Sequence, residues 1–73
     1  MMDRTYQGFK NYNYWNVYHW LTDDSINGQV MMAIHSLVDK DKATRYLLDT
    51  LPPKTPDGVR YTFRNIRSAL KEL

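Results

Sequence analysis

The stretch that decides how this chain folds is residues 8–20, GFKNYNYWNVYHW. Six of its thirteen residues are aromatic, and they include both tryptophans of the chain and three of its six tyrosines. A helix in so short a protein needs only one apolar stripe to contribute to a core. The density of rings therefore predicts that some of them do more than fill the core.

The aromatic segment predicts a helix over about residues 13–22 and permits a short strand or loop through residues 6–13 before it. At about 100° per residue, the side chains expected to share the core face are Tyr14, Val17, Tyr18 and Leu21. Trp15 and Trp20 fall on opposite shoulders of that face, and Tyr12, Asn16 and His19 fall on the far side. Exposed Trp and Tyr anchor protein interfaces. We therefore take as candidate partner-binding residues Tyr12, Trp15, Asn16, His19 and Trp20.

Two further helices are expected, each with an aspartate at its start. Asp23 or Asp24 can cap the free amides of a helix that runs through Val38, and its apolar arc comprises Ile26, Val30, Ala33, Ile34, Leu37 and Val38. Asp39 or Asp41 can cap a shorter helix whose shared face comprises Ala43, Tyr46, Leu47, Thr50 and Leu51. Pro52 and Pro53 end this helix, because proline lacks an amide donor and disfavours helical geometry in the residue before it.

A fourth helix is predicted to begin at Thr55-Pro56-Asp57-Gly58. Threonine is a good N-cap, proline suits the first helical position and an aspartate complements the positive end of the helix dipole. The apolar residues that follow form a narrow stripe of Val59, Phe63, Ile66, Leu70 and Leu73. Beside it, within roughly 60° on the helical wheel, lies a predicted basic stripe of Arg60, Arg64, Arg67 and Lys71.

These segments predict an all-α fold, a single domain over residues 1–73 that forms a small bundle of three to four short helices. A chain of this size buries only about 60% of the surface that its unfolded form exposes. The sequence contains no cysteine, so it has no disulfide to compensate. Small domains of this kind often gain stability by oligomerising or by docking on a partner. A structural homo-oligomer is therefore one of the functions that the sequence permits.

Charge is distributed unevenly around a net value of +2. Five aspartates outweigh three cations between residues 22 and 51, whereas four cations face one glutamate between residues 59 and 73. The amino terminus shows neither the apolar run of a signal peptide nor the roughly 20 apolar residues of a membrane span. We expect a cytoplasmic protein with no membrane association.

Catalysis has little support in the sequence, and we predict that the protein is not an enzyme. The two histidines are sixteen positions apart and belong to no recognisable metal-ligand pattern, so neither a metal nor another cofactor is expected. Asp39-Lys40-Asp41 is better explained as a helix cap than as an ion site. The serines lack the strand-turn-helix setting of a nucleophile elbow, and the chain has no glycine-rich phosphate loop.

The segment Gly8-Phe9-Lys10-Asn11-Tyr12, followed by Trp15-Asn16-Val17 and Trp20-Leu21, resembles a known motif. It is similar to the Gly-(Tyr/Phe)-Lys-Asn-Tyr-x-Thr-Trp-Asn-Val-x-(Leu)-Trp signature of a family of short proteins. The family is encoded by phages and prokaryotic genomes and has no established function. This chain departs from the motif at Tyr14, where the family usually has threonine, and at His19, where it usually has leucine. The resemblance implies a phage or mobile-element setting and, for such a protein, the cytoplasm of the host cell.

Three functions remain open from the sequence. Small phage proteins commonly act by binding a host protein, and we take an accessory protein that inhibits or redirects a host protein as the first hypothesis. A nucleic-acid-binding module that uses the basic C-terminal helix is the second, since cations in register can follow a phosphate backbone. The third is the homo-oligomer. The motif also has a purely structural interpretation, in which Trp15, Val17 and Leu21 anchor the core and Asn11 or Asn13 caps a helix.

Overall fold

The computed structural model describes residues 8–73. These residues form four α-helices, which contain 67% of them. The helices are α1 Tyr12–Leu21, α2 Asp24–Leu37, α3 Lys40–Thr50 and α4 Phe63–Lys71. The prediction of a small all-α bundle is therefore confirmed. Of the strand or loop permitted over residues 6–13, residues 6 and 7 lie outside the described part of the chain, and residues 8–11 are not helical.

The first three helices begin where the sequence places a capping side chain. Asn11 caps α1, and its side chain accepts a hydrogen bond of 3.1 Å from the backbone N–H of Tyr14. Asp23 caps α2 by accepting from the backbone N–H of Ser25. Asp39 caps α3 in the same way, with Asp41 as its donor at 2.8 Å. Each cap satisfies an amide that would otherwise lack a partner at the helix end.

The predicted start of the fourth helix at Thr55 is wrong. Helix α4 begins eight residues later at Phe63, and its N-cap is Thr62. The Thr62 hydroxyl accepts from the backbone N–H of Asn65, and the Asn65 side chain accepts from the backbone N–H of Thr62, at 3.1 and 2.8 Å. This reciprocal capping box satisfies two donors at once and so fixes the helix start.

Residues 54–60 form a tight reversal of the chain instead of a helix. The backbone N–H of Gly58 donates to the carbonyl of Thr55 at 2.8 Å, and the N–H of Thr55 donates to the carbonyl of Val59 at 2.8 Å. An isolated antiparallel bridge joins Lys54 to Arg60. Gly58 has φ +90°, a left-handed conformation that favours glycine. We refer to residues 54–60 as the 54–60 turn.

The core lies between the four helices and the 54–60 turn. Helix α4 packs against α1 and α3, and α2 packs against the same two helices. The fully buried apolar residues come from every helix: Val17 and Leu21 of α1, Val30 of α2, Ala43 and Leu47 of α3, and Ile66, Ala69 and Leu70 of α4. Val59 and Tyr61, which precede α4, are buried as well.

Four residues predicted to face the core are exposed, and Thr50 of α3 is one of them. Leu37 is 37% exposed, Tyr46 47% and Val38 84%. Val38 is not part of α2 but follows it as the C-cap, with φ +66°. Because this conformation is not helical, the helical periodicity does not predict the direction of the Val38 side chain. A β-branched residue adopts such a conformation only with strain.

Membrane insertion has no helical basis in the described part of the chain. Among residues 8–73 no helix combines the length and apolar character needed to cross a bilayer.

Candidate functional site

A continuous series of rings runs along the outer side of α1. The ring centroids of Tyr12 and Trp15 are 5.7 Å apart, and the Trp15 and His19 rings stack at 5.1 Å with 17° between their planes. The edge of Trp20 meets His19 at 5.2 Å and 77°. Tyr12 and His19 are exposed, and the two tryptophans are half-buried. We call these four residues, Tyr12, Trp15, His19 and Trp20, the aromatic surface.

Asn16 does not belong to this surface, so its assignment to an exposed binding face is wrong. It is completely buried, because the 54–60 turn packs over the side of α1 that carries it. The Thr55 hydroxyl donates to Asn16 Oδ1 at 2.7 Å, and Asn16 Nδ2 donates to Asp57 Oδ2 at 2.8 Å and to the Tyr12 hydroxyl at 3.2 Å. A buried amide with both ends satisfied is a structural residue.

Asp57 holds the end of the aromatic surface in place. Its Oδ2 accepts from the indole Nε1 of Trp20 at 2.9 Å as well as from Asn16. These two hydrogen bonds hold the pKa of the Asp57 carboxyl below its ordinary value of 3.8. The carboxylate is exposed. One edge of the aromatic surface therefore carries a negative charge, and Trp20 is held in one orientation.

The predicted basic stripe does not exist as a single helical face. Arg60 lies in the 54–60 turn, whereas Arg64, Arg67 and Lys71 lie on α4. The reason is that α4 begins at Phe63, so Arg60 precedes the helix and does not share a helical face with the other three cations. Arg67 donates from Nε to Asp41 of α3 at 2.7 Å, so this cation also ties two helices together.

The three cations of α4 instead line a shallow groove between helices. The groove has a volume of about 670 Å³ and is lined by Tyr14, Lys40, Phe63, Arg64, Arg67 and Lys71, together with Ser68. Lys10 lies 5.6 Å from the centre of the Tyr14 ring, and the Arg45 guanidinium lies 5.4 Å from the centre of the Phe63 ring. We call it the basic groove. The sequence pattern identified three of its cations but not Lys40, which α3 supplies, or the two rings.

A second, smaller groove lies between α2 and α3 and is apolar. It has a volume of about 210 Å³, and Met32, Leu37 and Tyr46 are among its lining residues. Met32 is 69% exposed. The helical periodicity predicted that Leu37 and Tyr46 face the core, so the sequence pattern does not indicate this surface.

Within residues 8–73, no group of three or more histidine, aspartate or glutamate side chains is arranged to hold a metal ion.

No family model, curated protein or solved structure matches this chain. The resemblance of about residues 8–24 to the phage-protein motif therefore stays a prediction. Within the motif, the structure assigns Asn11 to the cap of α1, Asn16 to the contact with the 54–60 turn and Val17 to the core.

Proposed function

We propose that this protein is a small, non-enzymatic accessory protein of phage type that binds a host protein and inhibits or redirects it. The observation that carries the proposal is the aromatic surface of α1. Its four rings contact one another, and two of them are exposed. Large rings grouped on a surface are typical of the residues that contribute most to protein–protein affinity.

The rings are well suited to binding because they are held in place before a partner arrives. Trp20 is fixed by Asp57, Tyr12 by Asn16, and Trp15 and His19 by their mutual stacking. A partner that contacts side chains already fixed loses less conformational entropy on binding. Aromatic side chains with two rotatable bonds add contact area at a low entropic cost.

The charge at the edge of this surface indicates the chemistry of the partner. Asp57 is ionised at neutral pH, and the hydrogen bonds from Asn16 and Trp20 lower its pKa below 3.8. A partner with an apolar cleft and an arginine or lysine at its rim would match both the rings and the carboxylate. Raising the salt concentration would slow the association of such an interface, because salt screens the attraction between the carboxylate and the cation of the partner.

The test is affinity capture of host proteins from a nuclease-treated lysate. The variant Tyr12→Ala with His19→Ala removes the two exposed rings of the aromatic surface. The matched control is Tyr46→Ala with His35→Ala, which removes one exposed residue of each type from α3 and α2. We expect the first variant to lose the captured protein and the control to keep it, with both retaining the helical circular dichroism signal.

Two outcomes would contradict the proposal. Loss of capture in the control alone would place the partner on the apolar groove between α2 and α3. If the parent protein captures its partner from an untreated lysate but not from a nuclease-treated one, the binding depends on nucleic acid.

Self-association is a second candidate, and the apolar groove favours it. Met32, Leu37 and Tyr46 expose apolar surface there, and exposed apolar surface often marks an interface. Sedimentation of the parent protein tests this candidate directly. A dimer that the Tyr46→Ala with His35→Ala variant converts to a monomer would support it, and a monomer at all accessible concentrations would exclude it.

A further inference from the structure

We propose that the basic groove binds single-stranded nucleic acid. The site differs from the aromatic surface used in the proposed function, and it involves different helices. It is formed where Tyr14 of α1 and Lys40 of α3 meet Phe63 and the three cations of α4. The inference therefore stands or falls independently of the host-protein partner.

The first argument is the charge of the groove. Four of its lining residues are cations, contributed by α3 and α4: Lys40, Arg64, Arg67 and Lys71. Within residues 8–73, the ion pair that forms here joins Arg67 to Asp41, and no acidic side chain pairs with the other three cations. Cations that gather without neutralising partners attract an anion with several charges.

The second argument is the presence of two rings among these cations. Tyr14 and Phe63 are half-buried and line the groove. Lys10 lies over the Tyr14 ring and Arg45 over the Phe63 ring, so each ring has one cation beside it. A positively charged groove that also offers aromatic rings is the arrangement that binds single strands, because phosphates contact the cations while bases stack on the rings.

An acidic protein segment fits this site less well. Carboxylates would satisfy the cations, but aspartate and glutamate side chains carry no aromatic ring to stack on Tyr14 and Phe63. A single strand supplies one phosphate and one planar base with every nucleotide, and both features of the groove are then used.

Double-stranded DNA also fits less well. A helix that reads the major groove must protrude from its domain. Here the cations of α4 line a concavity that includes Lys40 of α3 and Tyr14 of α1. A flexible single strand can follow such a concavity more readily than a stiff duplex can.

The first experiment is fluorescence anisotropy with the full chain and a labelled mixed-sequence DNA strand of about 12 nucleotides. Three phosphates neutralised by the three unpaired cations predict a log-log salt slope of about −2 for a single strand. Arg64→Gln and Lys71→Gln should each weaken binding several-fold and flatten that slope by about 0.7.

The matched control for the charge is Arg60→Gln. This arginine is exposed and carries the same charge, but it lies in the 54–60 turn and outside the groove. We expect little change in affinity. Equal weakening by Arg60→Gln and Arg64→Gln would show attraction to the overall charge of the protein and would overturn the proposal.

The contribution of the rings is measured separately. Phe63→Leu should weaken binding about five-fold or more without changing the salt slope, as removal of a base-stacking side chain does. An abasic strand of the same length tests the same contact without altering the protein. It should bind more weakly than the base-containing strand, and equal affinity would overturn the proposal.

Competition identifies the class of ligand. Polyglutamate of matched charge should displace the labelled strand poorly, and an unlabelled single strand should displace it well. Displacement by polyglutamate at equal concentration would assign the groove to an acidic protein. Tighter binding of a duplex than of the single strand would likewise contradict the inference.

Discussion

The side-chain amide of Asn16 donates a hydrogen bond of 2.8 Å to the carboxylate of Asp57, forty-one residues later in the chain. This contact, with the bond from the Thr55 hydroxyl to Asn16 Oδ1, holds the 54–60 turn against α1. The same carboxylate orients Trp20. The asparagine at the centre of the aromatic segment thus determines both where the turn sits and how one end of the aromatic surface is presented.

Replacing Asn16 with alanine should destabilise the protein by about 2 to 3 kcal/mol. The change removes three side-chain hydrogen bonds and leaves the buried hydroxyl of Thr55 without its acceptor, and unsatisfied buried groups account for much of such a loss. The matched control is Asn13→Ala at an exposed position of α1, expected within about 0.5 kcal/mol of the parent. Urea denaturation measures both, and equal effects would contradict the assigned role of Asn16.

Asp57 should make stability depend on pH in the acid range. Its pKa in the folded protein is lowered from 3.8 by the hydrogen bonds from Asn16 and Trp20. The stabilisation is therefore fully present above about pH 3.8 and is lost as the pH falls through the folded pKa. In Asp57→Asn the melting temperature should change less steeply below pH 4 than in the parent. Asp49→Asn, an exposed position on α3, should retain the parent's acid dependence, and an unchanged profile in Asp57→Asn would contradict the prediction.

Two neighbouring leucines of α3 test the position of the core. Leu47 is completely buried and Leu48 is 37% exposed. Leu47→Ala should cost about 2 to 5 kcal/mol, the range for truncating a buried leucine, whereas Leu48→Ala removes a side chain that already meets solvent and should cost clearly less. Thermal denaturation of the two variants measures the difference. Similar losses would mean that the face of α3 has been assigned incorrectly.

Much of the fold could be predicted from the sequence because its signals are local. The aspartates before α2 and α3 occupy the predicted caps, and Pro52-Pro53 follow the end of α3. The spacing of Val30 and Ala33, and of Ile66 and Leu70, correctly indicated buried faces. These features depend on residues within one or two helical turns of each other, where helical periodicity is informative.

The start of α4 could not be decided by the same reasoning, because Thr-Pro-Asp-Gly suits two structures. It fits the first turn of a helix, and Pro-Asp-Gly is equally typical of a tight turn. The contact between Thr55 and Asn16 is tertiary, so no local pattern contains it. The spacing of Thr62 and Asn65, three positions apart, is a local signal for the capping box.

The candidate sites were predictable only in part for the same reason. The aromatic surface follows from residues on one helix, and four of its five predicted members lie on it. Asn16 is the exception, because its burial depends on a turn from elsewhere in the chain. The basic groove needs side chains from three helices, and a helical wheel of one helix cannot show which residues of another lie beside it.

The hydroxyl of Tyr61 predicts a stabilising substitution. The residue is 5% exposed, and within the described chain its buried hydroxyl has no hydrogen-bond partner. Tyr61→Phe removes this uncompensated group and should leave stability unchanged or raise it by up to about 1 kcal/mol. A loss of more than 1 kcal/mol in urea denaturation would show that the hydroxyl has a partner. Tyr46→Phe, at an exposed position, is the control.

Alkaline pH provides a separate prediction for the same residue. Burial raises the pKa of Tyr61 above its ordinary value of 10.0. The part of the stability that depends on the protonated Tyr61 hydroxyl is therefore fully present below about pH 10 and is lost as the pH rises through the folded pKa. The melting temperature of Tyr61→Phe should fall less above pH 10 than that of the parent. An identical alkaline decline in both proteins would contradict this prediction.

Gly58→Ala distinguishes the turn from the helix that the sequence predicted, because the two structures require opposite signs. If residues 55–58 opened a helix, alanine would stabilise it by up to about 1 kcal/mol, the difference in helix propensity. In the structure Gly58 has φ +90°, and apart from its two chain neighbours no residue has an atom within 4 Å of an added Cβ. The backbone conformation alone therefore opposes the change. Alanine at such a position should cost about 1 kcal/mol or more.

The matched control is Gly28→Ala. Gly28 lies inside α2 with open space around its Cβ position, so the same substitution there should stabilise the protein. Thermal denaturation of the two variants should therefore shift the melting temperature in opposite directions, and stabilisation by Gly58→Ala would restore the helical interpretation of residues 55–58.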